Sequence, residues 1–372
     1  MTLPISSARL KLAAPDRPFI ERLLPAPLDG GFAQPDHWVW CGSVIRDDRR
    51  RYHMFASMWS RRVPFNPNWL TNSIVVRAES ATPEGPYQYI EPVLSPRDAR
   101  QWDGRMTHNP TIHRCPRTGR YLLFYTGSTY RGPEPTAGPP TEEQRLEARA
   151  NQRIGLAIAD RPAGPWQRCD RPILEPRPGH WDALLTTNPA PCLLPDGSLL
   201  LAYKSTAAPR APLQYGMARA DRYDAPYTRL QDEPLLAKAT LSSVSYEDAY
   251  LWRSPCDFEM LFNDMTGHFT GEDHAGAHAL SEDGLHWRLA AAPKAYSRTV
   301  RWADGSVTTQ GSFERPQLLI QDGKPTHLFA ATADGPGGFW NATRTWNMVV
   351  PLATDQDEAK VSIRKEPDAR QA

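Results

Sequence analysis

Five short segments carry polar, chemistry-bearing residues at matching places. They open at Cys41, His108, Thr187, Glu247 and Glu314, 60 to 79 residues apart. The next residues are Gly42, Asn109, Asn188, Asp248 and Arg315. Glu247, Asp248 and Glu314 would form a carboxyl cluster if the segments converge. Two carboxyl groups flanking a glycosidic bond can cleave it, one protonating the leaving oxygen while the other activates water or attacks the sugar. Burial or a nearby like charge raises the pKa of the acid, and Glu247 beside Asp248 and across from Glu314 meets that condition. Asp103 is a further acid candidate. Trp102-Asp103 precedes Asn109 by the same offset as Trp181-Asp182 precedes Asn188, and the Asp182 copy reads as a turn device. His108, Asn109, Asn188, Arg315, Arg105, His53, Trp59 and Asp36 are the candidate substrate-binding residues. Arginine forks among them would suit a carboxylate or sulfate by bidentate pairing.

The elements that must position these residues are strands. Each segment starts an apolar strand, and a turn and a second strand follow, as in Tyr121-Leu122-Leu123-Phe124-Tyr125 after Thr118-Gly119. Asp196-Gly197 and Asp322-Gly323 are hairpin-forming pairs. Third strands such as Ile154-Gly155-Leu156-Ala157-Ile158 come next, then Gly-Pro-aromatic starts of a fourth at Gly85, Gly164 and, as Ala-Pro-Tyr, at Ala225. Four strands in five repeats predict an all-β, five-bladed β-propeller with four antiparallel strands per blade. The fifth repeat has no evident fourth strand after Val350, and the stretch Phe19-Ile20-Glu21 is expected to supply it and close the ring. A partly helical insertion is expected near 128–152, with Thr141 as N-cap and helix formers running to Arg149. Residues 1–353 read as one catalytic domain and 354–372 as a polar tail.

Composition narrows the function. The chain has 43 Lys+Arg against 42 Asp+Glu, a net charge of +1, which disfavours a nucleic-acid partner. No apolar run reaches membrane-spanning length. The first twenty residues lack a signal-peptide core, so a cytoplasmic protein or a mature periplasmic or secreted form is expected. The five cysteines show no metal-ligand spacing. No cofactor and no catalytic metal are expected, although a structural Ca²⁺ at the propeller axis is compatible with the fold. Oligomeric state is not legible in the sequence.

The Asn-Pro and Glu-Asp strand starts, the Gly-Pro-aromatic outer strands and the turn Ser281-Glu282-Asp283-Gly284-Leu285-His286-Trp287 resemble the five-bladed β-propeller glycoside hydrolase superfamily, including families 43, 32, 62, 117 and 130. The resemblance spans the chain as architecture. It implies an Asp in blade one, an Asp in blade three and a general-acid Glu in blade four. Glu247 matches the last, whereas Gly42 and Asn188 stand where the aspartates are expected. The resemblance implies a glycosidase acting on an oligo- or polysaccharide, with Glu247 as acid and Asp248, Glu314 or Asp103 as base or pKa tuner. A non-catalytic carbohydrate-binding propeller, a phosphorylase, or a lyase using His108 as base are the alternatives on the same scaffold.

Overall fold

The computed structural model describes residues 17–236, 244–335 and 338–353. Blade one contains β1 (His37–Arg46), β2 (Tyr52–Ser60), β3 (Ile74–Ser80) and β4 (Gln88–Leu94). Blade two contains β5 (Met106–Arg114), β6 (Tyr121–Ser128), β7 (Arg153–Ala159) and β8 (Gln167–Arg168). Blade three contains β9 (Thr187–Leu193), β10 (Leu199–Ser205), β11 (Gln214–Ala220) and β12 (Thr228–Arg229). Blade four contains β13 (Tyr246–Arg253), β14 (Phe258–Asp264), β15 (Ala275–Ser281) and β16 (Arg288–Tyr296). A small hairpin, β17 (Thr299–Arg301) and β18 (Val307–Thr309), leads to blade five, made of β19 (Ser312–Gln321), β20 (Lys324–Ala333) and β21 (Thr345–Pro351). Neighbours within each blade pair antiparallel, and β1, β5, β9, β13 and β19 touch in turn around a closed ring. The chain is therefore a five-bladed β-propeller.

The ring closes differently from expectation. Phe19–Arg22 is a 3₁₀ turn, with Phe19 buried against Trp252 and His278 at ring distances of 6.3 and 5.7 Å. Pro18 in front of it has no N–H to offer a sheet ladder. The following residues take the outer edge of β21 through bridges. Leu24 N–H donates to the Pro351 carbonyl at 2.9 Å, and Phe32 and Asn347 exchange two bonds of 2.9 Å. The N-terminal segment thus covers the edge of blade five without forming a regular strand.

Every inner strand carries a bulge at the same level. Register shifts fall between Trp40 and Ser43, His108 and Thr111, Glu247 and Tyr250, and Glu314 and Gln317, and opposite Ala202–Lys204 in blade three. The bulge residues are Cys41, Asn109, Asn188, Asp248 and Arg315, with φ between 48° and 60°. This left-handed region suits Asn and Asp. Amide groups freed from the ladder are taken up by side chains of adjoining strands. Asn109 N–H donates to Ser57 Oγ at 3.1 Å and Asn188 N–H to Thr126 Oγ1 at 3.2 Å. This corrects the alignment of blade one. Cys41, not Gly42, is equivalent to Asn109 and Asp248, and Trp40 is equivalent to His108 and Glu247. The segment in blade one was aligned from Cys41, one position too far along.

The core lies between blades. Phe262, Met260 and Tyr246 are fully buried in one such layer, and Phe55, Tyr125 and Leu123 in another. Burying an aromatic or large aliphatic side chain contributes about 1.5 to 3 kcal/mol. The insertion forms α2 (Glu142–Ala150), started by a capping box in which Thr141 and Gln144 bond reciprocally. It packs near α1 (Trp69–Asn72) through Leu70, Tyr130 and Ala148. No helix among the described residues is long and apolar enough to cross a membrane. The polar tail at 354–372 lies outside the described residues.

Candidate active site

The bulges turn their side chains toward one another. Cys41 Sγ–H donates to Asn109 Oδ1 at 2.9 Å, Asn109 Nδ2 to Asn188 Oδ1 at 2.6 Å, and Asn188 Nδ2 to Asp248 Oδ1 at 2.6 Å. Arg315, with no exposed surface, completes the circle. It donates to the Asn109 carbonyl at 3.3 Å and lies 3.7 Å from Asp248 Oδ1. This run of bonds is directional and ends on a carboxylate. It holds Asp248 in place from below.

Glu247, Asp248 and Glu314 offer carboxylate oxygens that lie within 4.8 Å of one another. Three acids this close cannot all stay ionised away from water. Burial, then the charges of Glu247 and Asp248, raise the Glu314 carboxyl to about 8, against a donated Ser312 hydroxyl bond of 2.8 Å. Burial and Glu247 raise Asp248 to about 6. Burial also pushes Glu247 up, but the Lys204 ammonium at 2.5 Å outweighs it, with help from Arg149 and His274. Glu247 is held below the ordinary carboxylate range. Near neutral pH the cluster therefore joins a protonated Glu314 to an ionised Glu247. Among the described residues, the buried Tyr296 hydroxyl has no hydrogen-bond partner, and it lies in the field of Asp248 and Glu314. Both amide atoms of Asn263, the ladder partner of Glu247, are likewise unpaired. Such groups call for water or ligand.

One wall is aromatic. His108 lies against Trp59 and Trp69 at ring distances of 5.9 and 5.2 Å. Burial, with Arg315 and Lys204 nearby, drives the His108 pKa well down, so the ring is neutral. The Ser73 hydroxyl donates to the Thr107 carbonyl at 3.0 Å, leaving its oxygen to accept from His108 Nδ1–H at 2.7 Å. Nε2 is then the acceptor. Trp59 is buried and stacks on Phe65 at 5.3 Å.

Other expected residues lie elsewhere. Asp103 is fully buried and bonded to Tyr125 Oη at 2.7 Å, with Arg97 and Arg168 alongside. Asp182 repeats this with Tyr203 Oη at 2.9 Å, Arg177 and Arg229. Trp102 and Trp181 stack on these tyrosines at 5.8 and 6.0 Å. The tyrosines pass over Gly155 and Gly216, where a Cβ would meet ring carbon at 2.5 Å. The repeated Trp-Asp pair is a blade brace, and Asp103 stands outside the carboxylate cluster. His53 sits at the far end of β2, between Asp47 at 3.1 Å and Arg77 at 3.0 Å. It does not reach the site. Arg105 is committed to the Gly132 carbonyl at 3.0 Å and to the face of Tyr130. Asp36 is exposed beside His37, Arg61 and Arg62.

Lys204, Arg149, His274, Tyr296, Asn263 and Ser312 belong to the site and were missed. Lys204 had a signal. In the ladder column opposite the strand starts it stands with Ser57, Thr126, Asn263 and Ala331, as the one charged residue. Nearby, Arg315 Nε and Nη1, Gln317 Nε2 and Asn347 Nδ2 are buried without a hydrogen-bond acceptor among the described residues. That environment is rich in donors and carries a fixed cation. The oxygen ligands that a Ca²⁺ ion requires would come from Glu247, Asp248 and Glu314, with Lys204 and Arg315 as the nearby cations.

No protein-family model matches the sequence, and no curated protein matches it. Solved structures do. BT0996, solved as a complex with RGII, has a TM-score of 0.65 and 15% identity, with 95% of both proteins covered. Zg3597, a family 117 glycoside hydrolase from the marine bacterium Zobellia galactanivorans, has a TM-score of 0.62 and 14% identity, covering 93% of this chain and 98% of its own. A thermostable family-43 glycoside hydrolase has a TM-score of 0.57 and 11% identity, covering 88% and 94%. Across nearly its whole length, then, the chain shares the fold of these proteins, two of which are glycoside hydrolases.

Proposed function

We propose that the protein is a glycoside hydrolase acting on an oligo- or polysaccharide at the Glu247–Asp248–Glu314 cluster. The observation that carries this reading is three carboxyl groups on the inner strands with oxygens within 4.8 Å of one another, one of them, Glu247, bonded to the Lys204 ammonium. Glu314, kept protonated, donates to the leaving oxygen. Glu247, kept ionised by Lys204, faces the anomeric carbon. This exchanges the role expected of Glu247 from the sequence. Asp248, fixed by the Asn188 and Arg315 contacts, raises Glu314 by its charge and positions the pair. Oxygens within 4.8 Å are closer than the roughly 6.5 to 9.5 Å that leaves room for an attacking water. The spacing therefore supports double displacement. Glu247 attacks the anomeric carbon as Glu314 releases its proton to the departing oxygen. Water, deprotonated by Glu314, then cleaves the glycosyl ester.

The half-buried Trp69, set against the buried His108, offers an apolar surface to a sugar ring. Trp340, 78% exposed beside Phe339 on the β20–β21 loop, is a further stacking surface. The BT0996 complex with RGII, a propeller of the same fold, adds support for a carbohydrate ligand. The test is a panel of aryl glycosides and native oligosaccharides, with products identified by mass. Cleavage by the wild type is expected. Oligosaccharide binding without cleavage would replace the reading with a binding propeller.

A further inference from the structure

The insertion helix carries a guanidinium that acts on Glu247 only through its charge. Arg149 lies in the last turn of α2, where the helix dipole favours a cation. The helix is firmly seated. Ser128 Oγ–H donates to the Ala148 carbonyl at 2.6 Å, Asn151 Nδ2 to the Thr129 carbonyl at 2.9 Å, and Arg131 to Glu147 at 2.9 and 3.1 Å. The half-buried Arg149 side chain rests over Trp69, 6.0 Å from the ring centroid. Its guanidinium has no hydrogen bond or ion pair among the described residues. Arg145, one turn earlier, is by contrast committed to Glu142 at 2.7 and 2.5 Å. Arg149 feels the charge of Glu247, yet the direct pair with Glu247 belongs to Lys204. Neutralising Glu247 therefore does not account for Arg149. A partly desolvated guanidinium without an acceptor is unfavourable until something fills its fork.

Resting on the glycosidase reading, we propose that Arg149 forms an oxyanion subsite for a carboxylate or sulfate borne by the sugar, so that the substrate is an acidic saccharide. The planar fork matches such a group with two parallel N–H bonds. A free small anion would enter beside ionised Glu247 with Arg149 alone to hold it. An anion carried on a ring has the Trp69 and His108 wall as well, which favours the sugar-borne source.

The test is calorimetric binding to the full chain of galacturonate, glucuronate and galactose 6-sulfate, each against galactose and glucose, with inorganic phosphate as a separate ligand. At least one acidic sugar is expected to bind tenfold or more tightly than its neutral counterpart. Arg149→Met should abolish that preference, weakening the acidic sugar at least tenfold more than its neutral counterpart, and Arg149→Lys should keep part of it. Equal binding of acidic and neutral sugars, a preference that survives Arg149→Met, no binding of any sugar, or phosphate binding that matches and displaces the acidic sugar would each overturn the proposal. Binding requires no turnover. Acid-selective binding through Arg149 with no hydrolysis of any glycoside would uphold the subsite and remove the hydrolase reading alone.

Discussion

Glu314→Gln should change how stability depends on pH, by an amount that follows from the carboxylate cluster. Its carboxyl is raised from 4.5 to about 8 in the folded protein. Below pH 4.5 the group is protonated in both folded and unfolded chains and has no effect. Between 4.5 and about 8 the folded state holds a proton that the unfolded state has released, so stability falls as pH rises. At about 1.4 kcal/mol per pH unit, the loss is about 3 kcal/mol by pH 7 and about 5 kcal/mol above pH 8. Glutamine is isosteric, does not titrate, and can still accept from Ser312. The variant and the wild type should lie within about 1 kcal/mol of each other at pH 5, and the variant should gain steadily above that. With an unfolding entropy of about 2.1 cal/mol/K per residue, 3 kcal/mol corresponds to about 4 °C in Tm. Thermal unfolding of both proteins from pH 5 to 9 measures the gap, and the difference cancels the titrating groups outside the carboxylate cluster. Parallel curves would mean that Glu314 is ionised at neutral pH, and the acid assigned to it would be wrong.

Three other outcomes follow from the same geometry. Lys204→Met removes the cation that holds Glu247 ionised, so the acid limb of the kcat/KM profile should move to higher pH. Folding stability at pH 7 should drop by about 3 to 5 kcal/mol, and an unmoved limb would separate Lys204 from Glu247. Asp103→Asn should cost about 3 kcal/mol of stability by stranding Arg97 and Arg168, with kcat/KM for any cleaved glycoside within about twofold of wild type. A loss of a hundredfold would return Asp103 to the catalytic set. Proton NMR of the first-formed sugar should show the anomeric configuration of the substrate retained. Inversion would mean that the carboxylates separate to admit water when substrate binds.

The propeller was legible because its repeat is written in local chemistry: hairpin pairs such as Asp196-Gly197, and Asn or Asp at bulges that need a left-handed backbone. Blade one was misread where that chemistry is disguised, since Cys41 carries none of the usual marks. The three carboxylates were legible in two adjoining repeat columns, but their division of labour was not. It depends on Lys204, a residue of blade three set beside blade four by the closing of the ring. Arg149 reaches the cluster from an insertion whose helix could be foreseen from Thr141 but whose docking could not. Asp103 and His53 were misplaced for the same reason. Side-chain partners such as Tyr125, Arg168 and Arg77 come from other strands, and spacing along the chain does not record them.

The most direct test of the carboxylate mechanism compares turnover by wild type, Glu247→Gln and Glu314→Gln on the best glycoside of the panel, with binding measured on the same proteins. Cleavage by the wild type is expected, with a fall in kcat of a thousandfold or more in both variants. Glu314→Gln should lose less on substrates whose leaving group needs no proton, and sugar binding should persist. Cleavage that survives in both variants, or a wild type that binds oligosaccharides and cleaves none, would contradict it.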